Sequence, residues 1–505
     1  MTLAKSLVTS PHSAKVNGDH DQAATPPGKR KIDDLTDEIA DTPIKLEPDT
    51  SPPSTKRRRT HGATTPRARP LKQLNNAPTR RLDIAVFGNG ENGELGLGHR
   101  KHKKSSPESA SRPRLNHLLD ADDVGVVQVA VGGKHCAALT HDGRVLTWGV
   151  NNSRALGRNT NWEPPKQLPN DTVDLNPMES TPAPVEGLEG LESGIAQVAA
   201  TDNATFVLTK SGLVYGWGTF FGSDGVYGFL REKMRAKNKP TYEERFQNTP
   251  IQIKGLRNIK ELSAGVNHVL ALTESGDVYA WGTGQQGELG RRLIQRHQAE
   301  SLIPRMVYLP TRGIVKAFAG FNHNFAIDKE GQVWTWGLNN FGQTGVAASE
   351  DILHLGTPAV VEGLKGYKIR HIAGGFHHSV ACTEDGQVLA WGRCDVSQVG
   401  VDVSVLPKEH FLVDSRGKRR ILLQPTIIPG VTATFVAAGI DNSFGITEEG
   451  KILTWGYSEN SRMGLGTNST VERPTELNGG VVSGKSFTFA ACGGQFSLIA
   501  SPRES

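Results

Sequence analysis

The chain has 505 residues and a formal net charge of +5, with 57 glycines, four cysteines and an aromatic content of 6%. No apolar run is long enough to cross a bilayer, and residues 1–20 lack the apolar core of a secretory signal, so we expect an intracellular protein that makes no membrane contact. The cysteines show no C-x-x-C spacing, which argues against a zinc site and against a disulfide framework. We therefore expect neither a metal nor a cofactor.

Residues 1–81 contain no Phe, Trp or Tyr and are rich in Pro, Ser, Thr and charge, so they cannot bury enough apolar surface to become ordered. They carry a net charge of +6, whereas the rest of the chain carries −1. We predict a disordered basic tail over 1–81 and a folded domain over 82–505. The densest cations of the tail suit a nuclear import receptor or nucleic-acid phosphates, and the alternative is a merely solubilising arm. They are Lys56, Arg57, Arg58 and Arg59.

A unit of an aromatic residue and glycine, preceded in each case by valine, threonine, alanine or glycine, recurs at seven regularly spaced positions between residues 82 and 502. Six of these units follow a β-rich run and a short turn that ends in glycine, which is typical of a hairpin. The aromatic residues are 55 to 69 residues apart, a spacing that fits one four-stranded sheet per unit. The sequence therefore predicts an all-β fold, a seven-bladed β-propeller. The seven aromatic residues are Phe87, Trp148, Trp217, Trp281, Trp336, Trp391 and Trp455.

The two ends of the repeat region complement each other. The Phe87 unit has no strand of the usual type before it, and the last such strand, residues 491–500, has no aromatic-glycine unit after it. Pairing the two ends completes one blade and leaves no free sheet edge. We expect the N- and C-terminal segments to close the propeller in this way.

The third unit departs from the spacing of the others. Six units have eight residues from the aromatic residue to the residue before a later glycine, whereas the third has ten, from Trp217 to Tyr227. Glycines that flank apolar residues here predict a projecting hairpin, and the alternative is a harmless surface insertion. The segment comprises Gly222, Ser223, Asp224, Gly225, Val226, Tyr227 and Gly228.

One repeat position is polar in all seven units, and the position before it is mostly apolar or glycine, as alternation along a strand would give. We predict that the polar side chains form a ring on one face of the propeller or along its channel, where they contact and recognise a partner. The seven residues are Lys134, Asn203, Asn267, Asn322, His377, Asp441 and Gln495.

The position after the ring holds histidine in four units, which predicts a structural hydrogen bond within each blade. Metal binding by this set is disfavoured, because the histidines come from separate blades and lack the short spacings of zinc sites. The histidines are His135, His268, His323 and His378.

Two stretches, Trp281-Gly282 followed by residues 286–290 (QGELG) and residues 91–98 (ENGELGLG), resemble the signature of the regulator of chromosome condensation family. Propellers of this family that are fused to ubiquitin ligases carry a large catalytic domain, for which we see no counterpart. The plant ultraviolet-B photoreceptor clusters extra tryptophans, whereas six of the eight tryptophans here occupy the repeat position. A basic tail before a single propeller is similar to the layout of the nuclear exchange factor of the family.

The resemblance implies a nuclear, chromatin-associated monomer that promotes GDP release from a Ran-type small GTPase without covalent chemistry. It implies that residues 222–228 act as a wedge against the GTPase. It also implies GTPase contacts for Glu91, Asp202, Asn267, His377 and His378, to which the ring adds Asn322 and Asp441. The family has an aspartate where this chain has Asn267, so we expect a hydrogen-bonding role there instead of a role that depends on charge.

The resemblance further implies a histone-binding loop, onto which Arg291, Arg292 and Arg296 map, and the alternative is a set of solvated surface arginines. Two other functions stay open. The first is a chromatin-bound scaffold without exchange activity. The second, a propeller hydrolase, is disfavoured because no paired-carboxylate or nucleophile-base signature recurs.

Overall fold

The structure is a computed structural model that describes residues 72–504 apart from 168, 192, 223–224, 235–239, 294 and 348–351. The described residues form six four-stranded sheets, one five-stranded sheet and a separate two-stranded hairpin, and all pairings are antiparallel. The innermost strands contact one another in a closed ring around a central channel of about 800 Å³. The predicted seven-bladed β-propeller is confirmed.

The strands follow one another blade by blade. Blade one begins with β1 (Leu82–Asn89) and β2 (Ser109–Leu115), and blade two contains β3 (Val126–Val131), β4 (His135–Thr140), β5 (Val145–Gly149) and β6 (Ala183–Pro184). Blade three contains β7 (Ile195–Ala200), β8 (Ala204–Thr209), β9 (Val214–Gly218), the hairpin strands β10 (Phe220–Gly222) and β11 (Gly225–Gly228), and β12 (Gln247–Gln252). Blade four contains β13 (Ile259–Ala264), β14 (His268–Thr273), β15 (Val278–Gly282) and β16 (Arg305–Met306).

The second half of the molecule continues the pattern. Blade five contains β17 (Ile314–Ala319), β18 (His323–Asp328), β19 (Val333–Leu338) and β20 (His354–Val360), and blade six contains β21 (Ile369–Gly374), β22 (His378–Thr383), β23 (Gln387–Arg393), β24 (Phe411–Val413) and β25 (Arg419–Thr432). Blade seven contains β26 (Phe435–Ala438), β27 (Asn442–Ile446), β28 (Ile452–Gly456) and β29 (Val471–Glu476), and β30 (Phe489–Cys492) and β31 (Phe496–Pro502) complete blade one.

Helical structure is confined to short connections among the described residues. The α-helices are α1 (Pro177–Ser180) and α2 (Arg231–Met234), and the 3-10 helices are Glu243–Arg245, Gln295–Leu302, Glu362–Leu364, Lys408–His410, Glu459–Ser461 and Gly480–Val482. In the described part of the chain, the helices are too short or too polar to cross a bilayer.

The chain ends close the propeller as predicted. β31 pairs with β1 over seven residue pairs, from Leu82 opposite Pro502 to Gly88 opposite Phe496. The six predicted hairpins are also present, as β4–β5, β8–β9, β14–β15, β18–β19, β22–β23 and β27–β28. Blade one is therefore held by backbone hydrogen bonds between the two ends of the domain.

Buried indole hydrogen bonds join neighbouring blades. Five tryptophans of the repeat position donate Nε1–H to a main-chain carbonyl in the preceding blade, at 2.7–3.0 Å. These five bonds each cross a boundary between two blades. At four of the five boundaries, a second side chain from the tryptophan's own blade donates to the same carbonyl, at 2.7–2.9 Å. We call this pair of donors on one carbonyl the inter-blade lock. The carbonyls belong to Ala155, Glu288, Gln343 and Gln398, and the second donors are Thr205, Asn324, Ser379 and Ser443.

The described part of the segment assigned to the tail packs on the propeller. The main-chain N–H of Leu74 donates to the Lys210 carbonyl at 2.7 Å, and Asn75 is buried with its Nδ2 bonded to the carbonyls of Thr209 and Ile259. The Arg81 guanidinium donates to the Asp122 carbonyl at 3.1 Å. The predicted boundary at residue 82 is therefore too late, because composition does not reveal that polar side chains such as Asn75 dock on strand ends.

Blade six carries an extra strand that the repeat pattern does not predict. β24 pairs with the first part of β25, which runs for 14 residues. The connection between the third and fourth strands of this blade thus adds a second hairpin at its outer edge.

Removal of residues 486–505 should unfold the domain, because it deletes β30 and β31 and leaves β1 without its closing partner. We expect loss of the cooperative thermal transition, measured by circular dichroism. A control that lacks only residues 504–505 should melt like the full chain. A truncated protein with a sharp transition within a few degrees of the full chain would contradict closure by β31.

Candidate functional site

The predicted polar ring surrounds one mouth of the channel. Each ring residue lies in the turn between the first and second strands of its blade, and its main-chain carbonyl accepts the N–H of the residue directly after the aromatic-glycine unit, at 2.8–2.9 Å. The position before the ring lines the channel itself. Lys134 and Gln495 are exposed and the other five ring residues are half-buried. The ring therefore lies on a face, which we call the ring face, and does not line the channel.

The insertion in blade three forms the predicted hairpin. β10 and β11 pair with Phe220 opposite Gly228 and Gly222 opposite Gly225. The main-chain N–H of Phe221 donates to Oδ1 of Asn267, a ring residue of blade four, at 3.1 Å. The hairpin thus belongs to the ring face. Ser223 and Asp224 lie outside the described residues, as does the side chain of Val226.

A network of charges crosses the ring face on blades six and seven. Asp395, whose side chain is 4% exposed, pairs with Arg393 and with Arg420, both at 2.7 Å. Arg393 also lies 3.4 Å from the carboxylate of the ring residue Asp441. Two cations thus flank the buried Asp395 carboxylate, and one of them reaches a second carboxylate on the ring.

An aromatic contact joins this network to blade five. The His377 ring lies 4.4 Å from the ring of Phe341, and the Arg393 guanidinium lies 5.7 Å from the same ring. Burial, and secondarily the charge of Arg393, lowers the pKa of His377 to about 4, so its imidazole is neutral at pH 7. His377 therefore offers hydrogen bonds and ring surface to a partner, and no charge.

Sequence reasoning missed Arg393, Asp395 and Phe341. A signal was available for Arg393, because the residue directly after each aromatic-glycine unit lies beside the ring. Among the seven residues at this position, Arg393 alone is charged; the others are Asn89, Val150, Thr219, Thr283, Leu338 and Tyr457.

Three predicted contact residues, Glu91, Asp202 and His378, lie outside the ring. Asp202 lines the channel wall, where burial raises the pKa of its carboxyl to about 7, and a Cβ at Gly133 would lie 2.6 Å from its Oδ1. Glu91 is exposed in the loop after the first aromatic-glycine unit, and its N–H donates to Oδ1 of Asn89 at 2.9 Å. Glu91 thus lies on the ring face, whereas Asp202 lies at the start of the channel.

The histidine column bonds between blades, which corrects the prediction of a bond within each blade. Nε2 of His135, His268, His323 and His378 lies 2.6–2.9 Å from a side chain of the next blade. These partners are the second donors of the inter-blade lock, which a sequence cannot assign to a neighbouring blade. His378 is completely buried against Ser443 and so, unlike His377, has no exposed surface on the ring face.

The predicted arginines of the histone-binding loop divide by environment. Arg291 donates to the carbonyls of Ala280 and Ile303, at 2.9 and 3.3 Å, and burial lowers its pKa to about 10. Arg291 thus supports the blade, while Arg292 is exposed. The side chain of Arg296 and the whole cluster of Lys56, Arg57, Arg58 and Arg59 lie outside the described residues.

Fold and site together define a tandem-repeat β-propeller with one face differentiated by a polar ring and a hairpin. An RCC1-like domain model matches residues 83–499. The chain is 40% identical to Protein pim1 of Schizosaccharomyces pombe, over 86% of this chain and 77% of that protein. It is 37% identical to the guanine nucleotide exchange factor SRM1 of Saccharomyces cerevisiae, over 83% and 86%.

A solved structure agrees with these relatives. Prp20p of Saccharomyces cerevisiae, described with its binding properties to Gsp1p and histones, superimposes with a TM-score of 0.74 at 33% identity, over 86% of this chain and 94% of that one. The chain belongs to the RCC1-like, or regulator of chromosome condensation, family.

Acid should destabilise the propeller through its buried histidines. Burial lowers the pKa of His323 from 6.5 to about 3, so below pH 6.5 the unfolded chain binds a proton that the folded chain does not. The stability contributed by the neutral ring is complete above pH 6.5 and is lost as the pH falls toward 3. His323→Asn copies the residue that blade seven has at this position, Asn442. Between pH 7 and pH 5 we expect the variant to lose about 2 kcal/mol less unfolding free energy than the wild type.

Urea denaturation at the two pH values measures this difference. His410→Asn, at an exposed position, is the matched control and should keep the wild-type dependence. An unchanged dependence in His323→Asn would show that the folded state already protonates this histidine near pH 6.

Proposed function

We propose that this protein is a guanine-nucleotide exchange factor that promotes GDP release from a Ran-type small GTPase on chromatin, with the ring face as its GTPase-binding surface and β10–β11 as the wedge. The single observation that carries the proposal is the hydrogen bond from Phe221 N–H to Asn267 Oδ1, which joins the hairpin to the polar ring. Family membership supports the activity, since the similar yeast protein SRM1 is named an exchange factor and Prp20p is described as binding Gsp1p.

Exchange of this kind needs no nucleophile and no proton transfer. A wedge that fits only the opened GTPase stabilises the nucleotide-free form, and each ~1.4 kcal/mol of such preferential binding accelerates release about tenfold. The catalytic power of the protein is therefore a difference between two binding free energies.

Asn267 serves this mechanism through its side-chain oxygen. Its Oδ1 accepts the Phe221 N–H, and a carboxylate oxygen at this position would accept it equally well. Asparagine in place of the family's aspartate at this position therefore keeps the hydrogen bond that holds the hairpin. Glu91, Asn322, His377 and Asp441 remain as ring-face contacts for the GTPase.

The basic residues are assigned to nuclear import and chromatin. Lys56, Arg57, Arg58 and Arg59 would bind an import receptor or DNA, and Arg292 would contact histones. The yeast relative Prp20 has been solved bound to Kap60 and is described as binding histones, which supports both assignments. The protein then acts as a chromatin-associated nuclear monomer. A chromatin-bound scaffold without exchange activity is the competing function.

Deletion of Ser223 and Asp224 should lower the rate of GDP release at least tenfold, because it shortens the hairpin to the spacing of the other blades. The assay is release of fluorescent GDP from purified Ran. We expect the thermal midpoint to stay within about 2 °C of the wild type, since β10 and β11 form a sheet separate from those of the blades.

A pair of substitutions at Asn267 controls this experiment. Asn267→Asp keeps the acceptor for Phe221 N–H and should retain exchange, whereas Asn267→Ala should not. Equal loss of exchange and stability in the deletion would make the hairpin a structural element. A wild-type protein that fails to accelerate release would favour the scaffold.

Replacement of Arg57, Arg58 and Arg59 with alanine should weaken DNA binding and reduce its salt dependence. Loss of three phosphate contacts would lower the slope of log K against log salt by roughly 2.7. Fluorescence anisotropy at several salt concentrations measures this slope. The matched control replaces three exposed cations of the propeller, Lys254, Arg257 and Lys260. An equal effect of both triple variants would exclude a dedicated role for the tail.

A further inference from the structure

The boundary between blades three and four lacks the inter-blade lock. Trp281 is 1% exposed, yet its Nε1–H finds no hydrogen-bond acceptor among the described residues. Val269 stands where Thr205 and its equivalents supply the second donor, and Ala204 stands where four of the other blades have histidine. In blade three, the segment that corresponds to the acceptor carbonyl of the lock forms part of β11. At this boundary both hydrogen bonds of the lock are therefore absent from the described structure, and their absence coincides with the insertion.

An aromatic cluster occupies this boundary instead. Phe220 and Phe229 stack with nearly parallel rings, 5.9 Å between centroids and 7° between planes. Both stack on Phe206, at 6.1 and 5.9 Å, and the edge of Phe206 meets Trp281 at 5.7 Å. All four rings are buried, with 4% exposure at most. We call these four residues the aromatic root.

The sequence of blade three is adapted to the aromatic root. Gly216 stands before the tryptophan where most units have threonine or alanine, and a Cβ there would lie 2.5 Å from Cδ1 of Phe206 and 3.1 Å from Cζ of Phe229. Phe220 is also the single aromatic residue among the seven residues at its repeat position. The other six units have the small or polar residues Gly90, Asn151, Gly284, Asn339, Cys394 and Ser458. The root is therefore a local construction and not a repeat feature.

Both legs of the hairpin end in this cluster. Phe220 is the first residue of β10, and Phe229 directly follows β11. Beyond Phe229, Arg231 of α2 pairs with Glu300 of blade four at 2.6 Å, with both side chains half-buried. The two buried rings hold both ends of the hairpin, and the ion pair holds the following segment against blade four.

We propose that Phe220 and Phe229 are positioning residues for nucleotide exchange, which hold the β10–β11 hairpin at a fixed orientation on the ring face. This role rests on the proposed function, since orientation matters only if the hairpin enters the GTPase. A hairpin that must press into a partner loses effectiveness if it can pivot, because part of the binding free energy would then be used to immobilise it. Paired rings at its two legs restrict that pivot.

The alternative is that the rings only fill the space left by the missing hydrogen bonds. Substitution would then lower stability but would leave both the hairpin and the rate of exchange in the folded fraction unchanged. The two roles therefore differ in a readout other than stability.

The test compares Phe229→Leu with Phe325→Leu in the full chain. Phe325 is completely buried and meets Trp391 edge-on at 5.8 Å, as Phe206 meets Trp281, but its boundary keeps the inter-blade lock and, within the described part of blade five, carries no inserted hairpin. We expect similar falls in thermal midpoint for the two variants. Phe229→Leu should reduce kcat/KM for fluorescent-GDP release from Ran at least tenfold, with Phe325→Leu within twofold of the wild type.

Hydrogen exchange over residues 218–230 supplies a second, independent readout. Phe229→Leu should speed exchange of the Phe221 N–H, while Phe325→Leu should not. Unchanged protection of this segment in Phe229→Leu would overturn the positioning role, whatever the kinetic result. A wild type that does not accelerate GDP release would refute the proposed function, and with it the role of the aromatic root in nucleotide exchange. In that case, faster hydrogen exchange of the hairpin in Phe229→Leu would still show that the root holds the hairpin in place.

Discussion

The propeller depends on one repeated interaction, the acceptance of two buried hydrogen bonds by a single loop carbonyl of the preceding blade. An indole N–H and a hydroxyl or amide converge on that carbonyl, as Trp391 and Ser379 do on Gln343. A buried donor left unpaired costs about 1–3 kcal/mol, so each lock specifies both the position of the next blade and the path of the loop. Because the loop that offers the carbonyl also borders the ring face, assembly of the blades and shape of the binding surface are coupled.

The histidine column extends this coupling. Each histidine reaches across a boundary to the residue that makes the second bond of the lock, and the fully buried imidazoles are held neutral by desolvation. The ring residue just before each histidine is consequently fixed by its neighbour. His377 turns toward Phe341 and the charged network while His378, one residue later, faces inward to Ser443.

Blade three departs from this pattern of inter-blade hydrogen bonds. Two additional residues convert the carbonyl-bearing loop into a hairpin, and the boundary it leaves is closed by stacked aromatic rings. Departures from a repeat pattern concentrate where function imposes its own requirements. Here the loss of a structural hydrogen bond coincides with the element that we assign to the GTPase.

Sequence alone determined the number of blades, the closure by the chain ends, the existence of the hairpin and the identity of the polar ring, because each is written as a periodic pattern or as a break in one. It did not determine the charged network of Arg393, Asp395 and Arg420, since residues far apart in the chain meet there only through the fold.

Tertiary structure also decided which polar residues face outward. His377 and His378 are adjacent in sequence, but His377, in the turn before β22, is half-buried at the ring face, whereas His378, the first residue of β22, is completely buried. Arg291 and Arg292 differ because Arg291 donates to carbonyls of its blade while Arg292 is exposed. The docking of residues 72–81 was likewise invisible in composition, because it depends on main-chain acceptors such as the Lys210 carbonyl that only the folded propeller brings to its surface.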